Sequence, residues 1–147
     1  MKETMDLDAY NYEITAEVPA VDDYRRLRKI CGLSVFSKEA AVVGLKGTIF
    51  SGVIRHEGAV IGMGRIVGDG GCFFQITDIA VDPAHQGKGL GKAIMAHLMA
   101  YVNEALPATA YVSLIADVPA NRLYEHFGFA ETAPASLGMS YRVRREQ

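Results

Sequence analysis

Apolar and polar positions along the chain follow two periods, and their succession predicts the order of elements. Residues 10–16 (YNYEITA) alternate and read as a first strand. After Pro19, Val21, Tyr24, Leu27 and Ile30 recur at helical spacing, with Gly32 as C-cap, and a second short helix follows from the N-cap Ser37 to about Leu45. The Ile/Val-rich stretches 48–55 (TIFSGVIR) and 59–67 (AVIGMGRIV), separated by His56, Glu57 and Gly58, predict a hairpin, and GDGG at 68–71 the next turn. Residues 72–81 (CFFQITDIAV) are apolar on both faces, the pattern of a central strand covered on both sides, so its one charge, Asp78, stands out. Leu90, Ile94, Leu98, Tyr101 and Ala105 mark a long helix over 89–104, closed by Pro107. Residues 110–116 (AYVSLIA) predict another buried strand, and Pro119 opens a helix with the face Ala120, Leu123, Tyr124 and Phe127, ended by Gly128. The tail predicts short strands near 129–131 and 139–144.

This order describes an α/β (α+β) fold, a mixed, mostly antiparallel central sheet flanked by helices, with one βαβ unit made by 72–81, the long helix and 110–116. At 147 residues, half of them hydrophobic and 22% charged, without repeats or low-complexity tracts, the expectation is one domain over 1–147. Lys plus Arg number 15 and Asp plus Glu 17, a net charge of −2, which argues against nucleic acid or a membrane surface as partner. No run approaches a membrane span, and the acidic start (Lys2, Glu3, Asp6, Asp8) lacks the apolar core of a signal peptide, which predicts a cytoplasmic protein. Cys31 and Cys72 form no CxxC pair and read as buried structural thiols; no His/Cys/Asp/Glu cluster has metal-ligand spacing, so no metal is expected.

Candidate chemistry lies between the central strand and the long helix, in Asp82-Pro83-Ala84-His85-Gln86-Gly87-Lys88-Gly89-Leu90-Gly91-Lys92. Alternating glycines at a strand-to-helix turn let backbone approach a ligand, and free amides at a helix start favour an anion, so the segment predicts a phosphate or pyrophosphate site. A dinucleotide fingerprint begun at Gly87 needs Gly or Ala where Lys92 stands. A Walker loop needs Ser or Thr after Gly91-Lys92, where the chain has Ala93, and Gly where it has Gln86. The remaining alternative is a helix start merely crowded against a sheet.

Gln86-Gly87-Lys88-Gly89-Leu90-Gly91 resembles the Q/R-x-x-G-x-G/A acetyl-CoA loop of the GNAT superfamily of N-acetyltransferases, and Asp78–Pro83 resembles the strand before it. Asn121-Arg122-Leu123-Tyr124-Glu125-His126-Phe127-Gly128-Phe129 resembles the family's second block, with Asn121 three residues before Tyr124. The resemblance implies acetyl-CoA as co-substrate. Amides of Gln86, Gly87, Lys88, Gly89, Leu90, Gly91 and Lys92 would hold its pyrophosphate, backbone of Ile79, Ala80 and Val81 would pair with the pantetheine arm where the strand splays after Asp78, and Asn121 would hydrogen-bond that arm. It further implies Tyr124 as the acid that protonates the departing thiolate, with a core aromatic as the alternative, and a homodimer as the assembly. Asp78 is the candidate base, because a carboxylate in an apolar strand is costly unless partnered or used; its alternatives are a carboxylate that pins the splay, or a water chain as base. Gln75, where some members carry a catalytic Glu, cannot act as a base. His85 and His126 read as solvated surface residues and His56 as part of the hairpin turn.

By the same resemblance, segments 33–36 and 134–140 line the acceptor pocket, and their small or apolar residues point to a compact or aromatic amine. The expected function is acetyl-CoA-dependent transfer to a primary amine of a small molecule. The alternatives are a protein lysine or N-terminal amine, a non-catalytic acyl-CoA-binding module, and a nucleotide-phosphate binder using the same loop.

Overall fold

A computed structural model of the chain describes Leu7 and residues 11–145. Two compact units divide after Leu114. The first carries β1 (Tyr12–Thr15), α1 (Val21–Ile30), α2 (Lys38–Lys46), β2 (Thr48–His56), β3 (Ala59–Gly68), β4 (Phe73–Val81), α3 (Leu90–Ala105) and β5 (Tyr111–Ser113). Its sheet runs β1-β2-β3-β4-β5, antiparallel throughout except for the parallel β4–β5 pair, so the predicted mixed sheet and its βαβ unit are present.

Local chemistry explains the helices and the first hairpin. Asp22 and Asp23 in the first turn of α1 and Arg28 and Lys29 in its last complement the helix dipole. The Ser37 hydroxyl caps α2 by accepting from the Ala40 amide at 3.1 Å. Between β2 and β3, Glu57 (φ 50°) and Gly58 (φ 86°) both take positive φ, the geometry whose twist matches a two-residue hairpin.

The two faces of the sheet are covered differently. On one, Tyr24, Leu27, Ala41 and Leu45 of α1 and α2 pack with Val53, Val60, Met63 and Ala80. On the other, α3 lies so close to the strands that a Cβ at Gly64 would stand 2.6 Å from the Ile94 side chain and 2.7 Å from that of Ile79. Leu90, Ile94, Met95 and Leu98 of α3 are buried there. Fully burying such side chains contributes roughly 1.5–3 kcal/mol each, which makes this face the main anchor of α3.

The second unit holds α4 (Asn121–Glu125), after which Gly128 takes φ 92° as the predicted helix stop. The short strands predicted over 129–131 and 139–144 do not form among the described residues. Met139, Tyr141 and Val143 keep the alternation but are exposed: strand propensity reflects packing on a paired neighbour, and an apolar alternation alone does not supply one. The strand expected over 110–116 is likewise only three residues long. Cys31 is half-buried and Cys72 lies exposed in the turn before β4, so the expectation of a buried thiol fails for Cys72. That turn is organised instead by the Asp69 carboxylate, which accepts from the amides of Gly71, Cys72 and Phe73.

Candidate functional site

The glycine segment forms the predicted strand-to-helix turn. Asp82 Oδ1 accepts from the Ala84 amide at 2.9 Å and starts a short 3-10 turn over Pro83–His85, and Gln86 Nε2 donates back to the Val81 carbonyl at 2.9 Å, tying the turn to the end of β4. Gly87 and Gly89 then adopt φ of 80° and 81°, with open space where a Cβ would stand, so it is the backbone conformation and not crowding that asks for glycine. The alternative of a helix start pressed on the sheet therefore does not describe these two positions. Gly89 is the N-cap of α3 and has no side chain to cap it, so the first amides of the helix, which geometry leaves without intrahelical acceptors, are offered outward. Lys88 and Lys92 add positive charge to a dipole end that already favours an anion. A group with several closely spaced anionic oxygens, such as a diphosphate, fits this donor set.

Beside the loop, β4 has an edge that pairs with no strand beyond Gln75 among the described residues. Its pairing with β5 covers only Phe73–Gln75, so the strands part at Ile76, three positions earlier than the sequence suggested. Ile79, Ala80 and Val81 continue beyond that split, although the Val81 carbonyl is already taken by Gln86 Nε2 and by the Cys31 thiol at 3.2 Å. At Asp78 the backbone flips to φ 63° and the β3–β4 register slips between Met63 and Arg65, a bulge that re-aims the strand. Ile79 consequently faces α3 while Asp78 faces α1.

Asp78 is 6% exposed and partnered on both oxygens. Oδ1 accepts from Arg28 Nη1 at 2.5 Å and from the Tyr24 hydroxyl at 3.1 Å; Oδ2 accepts from Arg65 Nε at 2.8 Å. Arg28 goes on to hold the Ser34 carbonyl (2.6 Å) and hydroxyl (3.0 Å), and Arg65 reaches the Thr48 hydroxyl (2.7 Å) and the Gly44 carbonyl (3.2 Å). Burial and the neighbouring Asp78 carboxylate push the Tyr24 phenol up. Of the two roles open for Asp78, the carboxylate that pins the strand is the one this geometry supports. Sequence reasoning missed Arg28 and Arg65; a buried-strand carboxylate implies a cation, and Arg65 sits in the middle of an otherwise apolar strand as the available signal.

A second cluster lies at the loop. Lys88 Nζ donates to the Tyr12 hydroxyl at 3.2 Å, and that hydroxyl is 2.7 Å from His85 Nδ1. The His56 ring lies tilted against Tyr12 at 4.6 Å and meets His85 at 4.9 Å. His85 and His56 are thus engaged with neighbours, in contrast to the solvated surface residue expected of His85, and Tyr12 was not singled out at all. His126 is exposed, as expected.

In the second unit, Asn121 directs its amide to Glu125 Oε2 at 3.5 Å, one helical turn on. Tyr124 is half-buried, and burial together with the Asp117 charge raises its phenol above the ordinary value, so it carries its proton at neutral pH. Among the described residues no His/Cys/Asp/Glu cluster could hold a metal, and no helix is long and apolar enough to cross a membrane.

A family model described as an acetyltransferase (GNAT) domain matches residues 46–131. The chain is 33% identical over 85 residues to GCN5-related N-acetyltransferase 2, chloroplastic, of Arabidopsis thaliana, covering 58% of this chain and 32% of that one. It is 31% identical over 90 residues to serotonin N-acetyltransferase 2, chloroplastic, of Oryza sativa subsp. japonica, covering 61% and 44%. It thus spans less than half the length of either relative. The crystal structure of a protein of unknown function from meticillin-resistant Staphylococcus aureus, described as a probable acetyltransferase, superposes with a TM-score of 0.85 at 43% identity, over 90% of this chain and 99% of that one.

Proposed function

We infer, from the premise that this chain belongs to the GNAT acetyltransferase family, that it transfers an acetyl group from acetyl-CoA directly to a primary amine of a small molecule. The observation that carries this reading is the loop at the start of α3, with Gly87 and Gly89 in left-handed conformation before an uncapped helix start. Acetyl-CoA supplies the activated acyl group. The amides of residues 86–92, with Lys88 and Lys92, bind its diphosphate, and the β4 edge at Ile79, Ala80 and Val81, apart from the Val81 carbonyl held by Gln86 and Cys31, takes the pantetheine arm as an added strand. Asn121 is assigned to that arm by the resemblance of its block.

The amine nitrogen attacks the thioester carbon, the C–S bond breaks, and Tyr124 donates its proton to the departing sulfur; the excess proton on nitrogen leaves through water. A phenol is a weaker acid than a thiol, and its raised pKa widens that gap, so the donation depends on placement. Asp78 acts as a positioning residue that fixes the bulge beside the acetyl position. Segments 33–36 and 134–140 favour a compact or aromatic amine, a class that includes the substrate in the name of the serotonin relative, whereas another relative, 32% identical over 85 residues, is named for a histone. Free thiols at Cys31 and Cys72 suit the reducing cytoplasm. The family resemblance also supports a homodimer, which mass in solution tests as twice 15.9 kDa against once.

Thermal unfolding with acetyl-CoA, CoA, ATP and NAD in parallel tests the loop, since a ligand at 100 times its Kd stabilises the native state by about 2.7 kcal/mol. A higher midpoint with acetyl-CoA and CoA alone is the expected result, followed by thiol release when arylalkylamines are added. A midpoint raised by ATP or NAD, or by nothing, overturns the reading.

A further inference from the structure

We propose that Tyr12 of β1 is a positioning residue for the cofactor loop, its hydroxyl anchoring the Lys88 ammonium and the His85 imidazole so that Lys88 is set in place before the diphosphate arrives. The inference rests on the loop binding CoA, and deepens that reading by bringing in a strand three places away from β4 in the sheet.

The chemistry of Lys88 fixes the direction of the first of the two hydrogen bonds. An ammonium has only donors, so Lys88 Nζ donates to the phenol oxygen at 3.2 Å. The same hydroxyl lies 2.7 Å from His85 Nδ1, and with one proton and a second lone pair it can complete that bond as donor or acceptor according to the ring's tautomer. Tyr12 is suited to anchor because it is itself held: it is 2% exposed, its ring lies 4.6 Å from His56 and edge-on to His85 at 5.6 Å, and β1 pairs with β2 along its whole length.

Lys88 has reason to be anchored. It is exposed and flanked by Gly87 and Gly89, the residues whose backbone has most freedom to lose on ordering, and its own side chain is among the most flexible. Tying its tip to a buried strand removes that freedom in advance, so that less is lost when the ligand binds. The ring of Tyr12 also lies 5.7 Å from the same ammonium, adding a weak attraction in the same direction.

A double-mutant cycle on the full-length protein tests the anchor, with CoA binding measured by calorimetry and acetyl transfer by thiol release. Tyr12→Phe removes only the hydroxyl. It is expected to weaken CoA binding about tenfold, the loss typical of a hydrogen bond to a charged group, with the effect confined to acetyl-CoA KM and kcat retained at saturation. Lys88→Met should weaken binding itself, and adding Tyr12→Phe to it should change little, because the hydroxyl then has no ammonium to hold. The thermal midpoint of the ligand-free protein reports whether packing survived. A merely structural role for the hydroxyl would give the same loss in both backgrounds, and that outcome overturns the proposal, as does Tyr12→Phe binding CoA like the wild type. Wild-type protein that does not bind CoA overturns the loop reading, and the anchor with it, so the two failures are told apart.

Discussion

At the scale of single residues, Asp78 is the most constrained group described. Two buried guanidinium groups converge on one carboxylate, so neutralising it leaves both arginines without a countercharge. Asp78→Asn is therefore expected to cost roughly 3 kcal/mol, read as a lower thermal midpoint, while leaving the acid limb of the kcat/KM profile in place. Loss of that limb with unchanged stability would restore the base role. Tyr124→Phe has the opposite signature: kcat should fall by about two orders of magnitude, the ordinary contribution of a placed acid, with CoA affinity intact. Since Asp117 helps to raise the Tyr124 phenol, Asp117→Asn should move the basic limb of the rate profile to lower pH. In the turn before β4, three amides hold the Asp69 carboxyl below its ordinary value. A depressed folded pKa stabilises above the unfolded value and loses that contribution as pH falls through the folded one, so Asp69→Ala should flatten the acid side of a stability–pH curve. The Asp78 carboxylate could be read from sequence as an anomaly, but its partners come from residues 13 and 50 positions away, and hydrophobic periodicity does not show which distant cations a fold will bring together.

Elements follow their sequence signals wherever one face alone sets the pattern. The amphipathic runs of α1 and α3, the Ser37 cap and the Glu57-Gly58 turn all appear within a residue or two of their expected places, because each rests on local chemistry. β4 is the instructive exception. Its buried positions alternate without a break through Phe74, Ile76, Asp78 and Ala80, yet the bulge at Asp78 moves the later ones onto the α1 side. Alternation records that a residue is covered and is silent about which layer covers it, so neither the bulge nor the early parting from β5 could be read in advance. The tail shows the converse, since Met139, Tyr141 and Val143 carry the pattern without pairing. The seat of α3 offers a direct test. Gly64→Val would force its side chain into Ile94 and Ile79, and overpacking of this kind typically costs 1–3 kcal/mol; Ile94→Ala leaves a cavity instead and should cost about 2–5 kcal/mol. Both changes should lower stability in chemical denaturation, and an unaltered midpoint for Gly64→Val would mean that α3 is seated less closely.

For the whole molecule, the charge balance separates global from local electrostatics. A net charge of −2 offers no long-range attraction to a polyanionic ligand, so binding must draw on positive groups within the loop, Lys88, Lys92 and the amides of α3. Added salt screens exposed charges beyond about 8–10 Å and leaves close contacts largely intact, so raising ionic strength to 0.5 M should weaken CoA binding by only about two- to fourfold. A hundredfold loss would point to a wider basic field than the sequence contains. The Arg28 side chain links two places that a substrate-scope experiment would treat as separate. One end grips β4 at Asp78, the other grips Ser34 in the connection between α1 and α2, and Arg25 adds a second hold on the Phe36 carbonyl at 3.0 Å. Libraries that vary this connection can exchange the exposed Val35 side chain freely, whereas the Phe36 ring lies 4.7 Å from the Arg28 guanidinium, and inserting or deleting a residue before Ser34 would pull on β4 itself, so the connection has a fixed length and a partly adjustable surface.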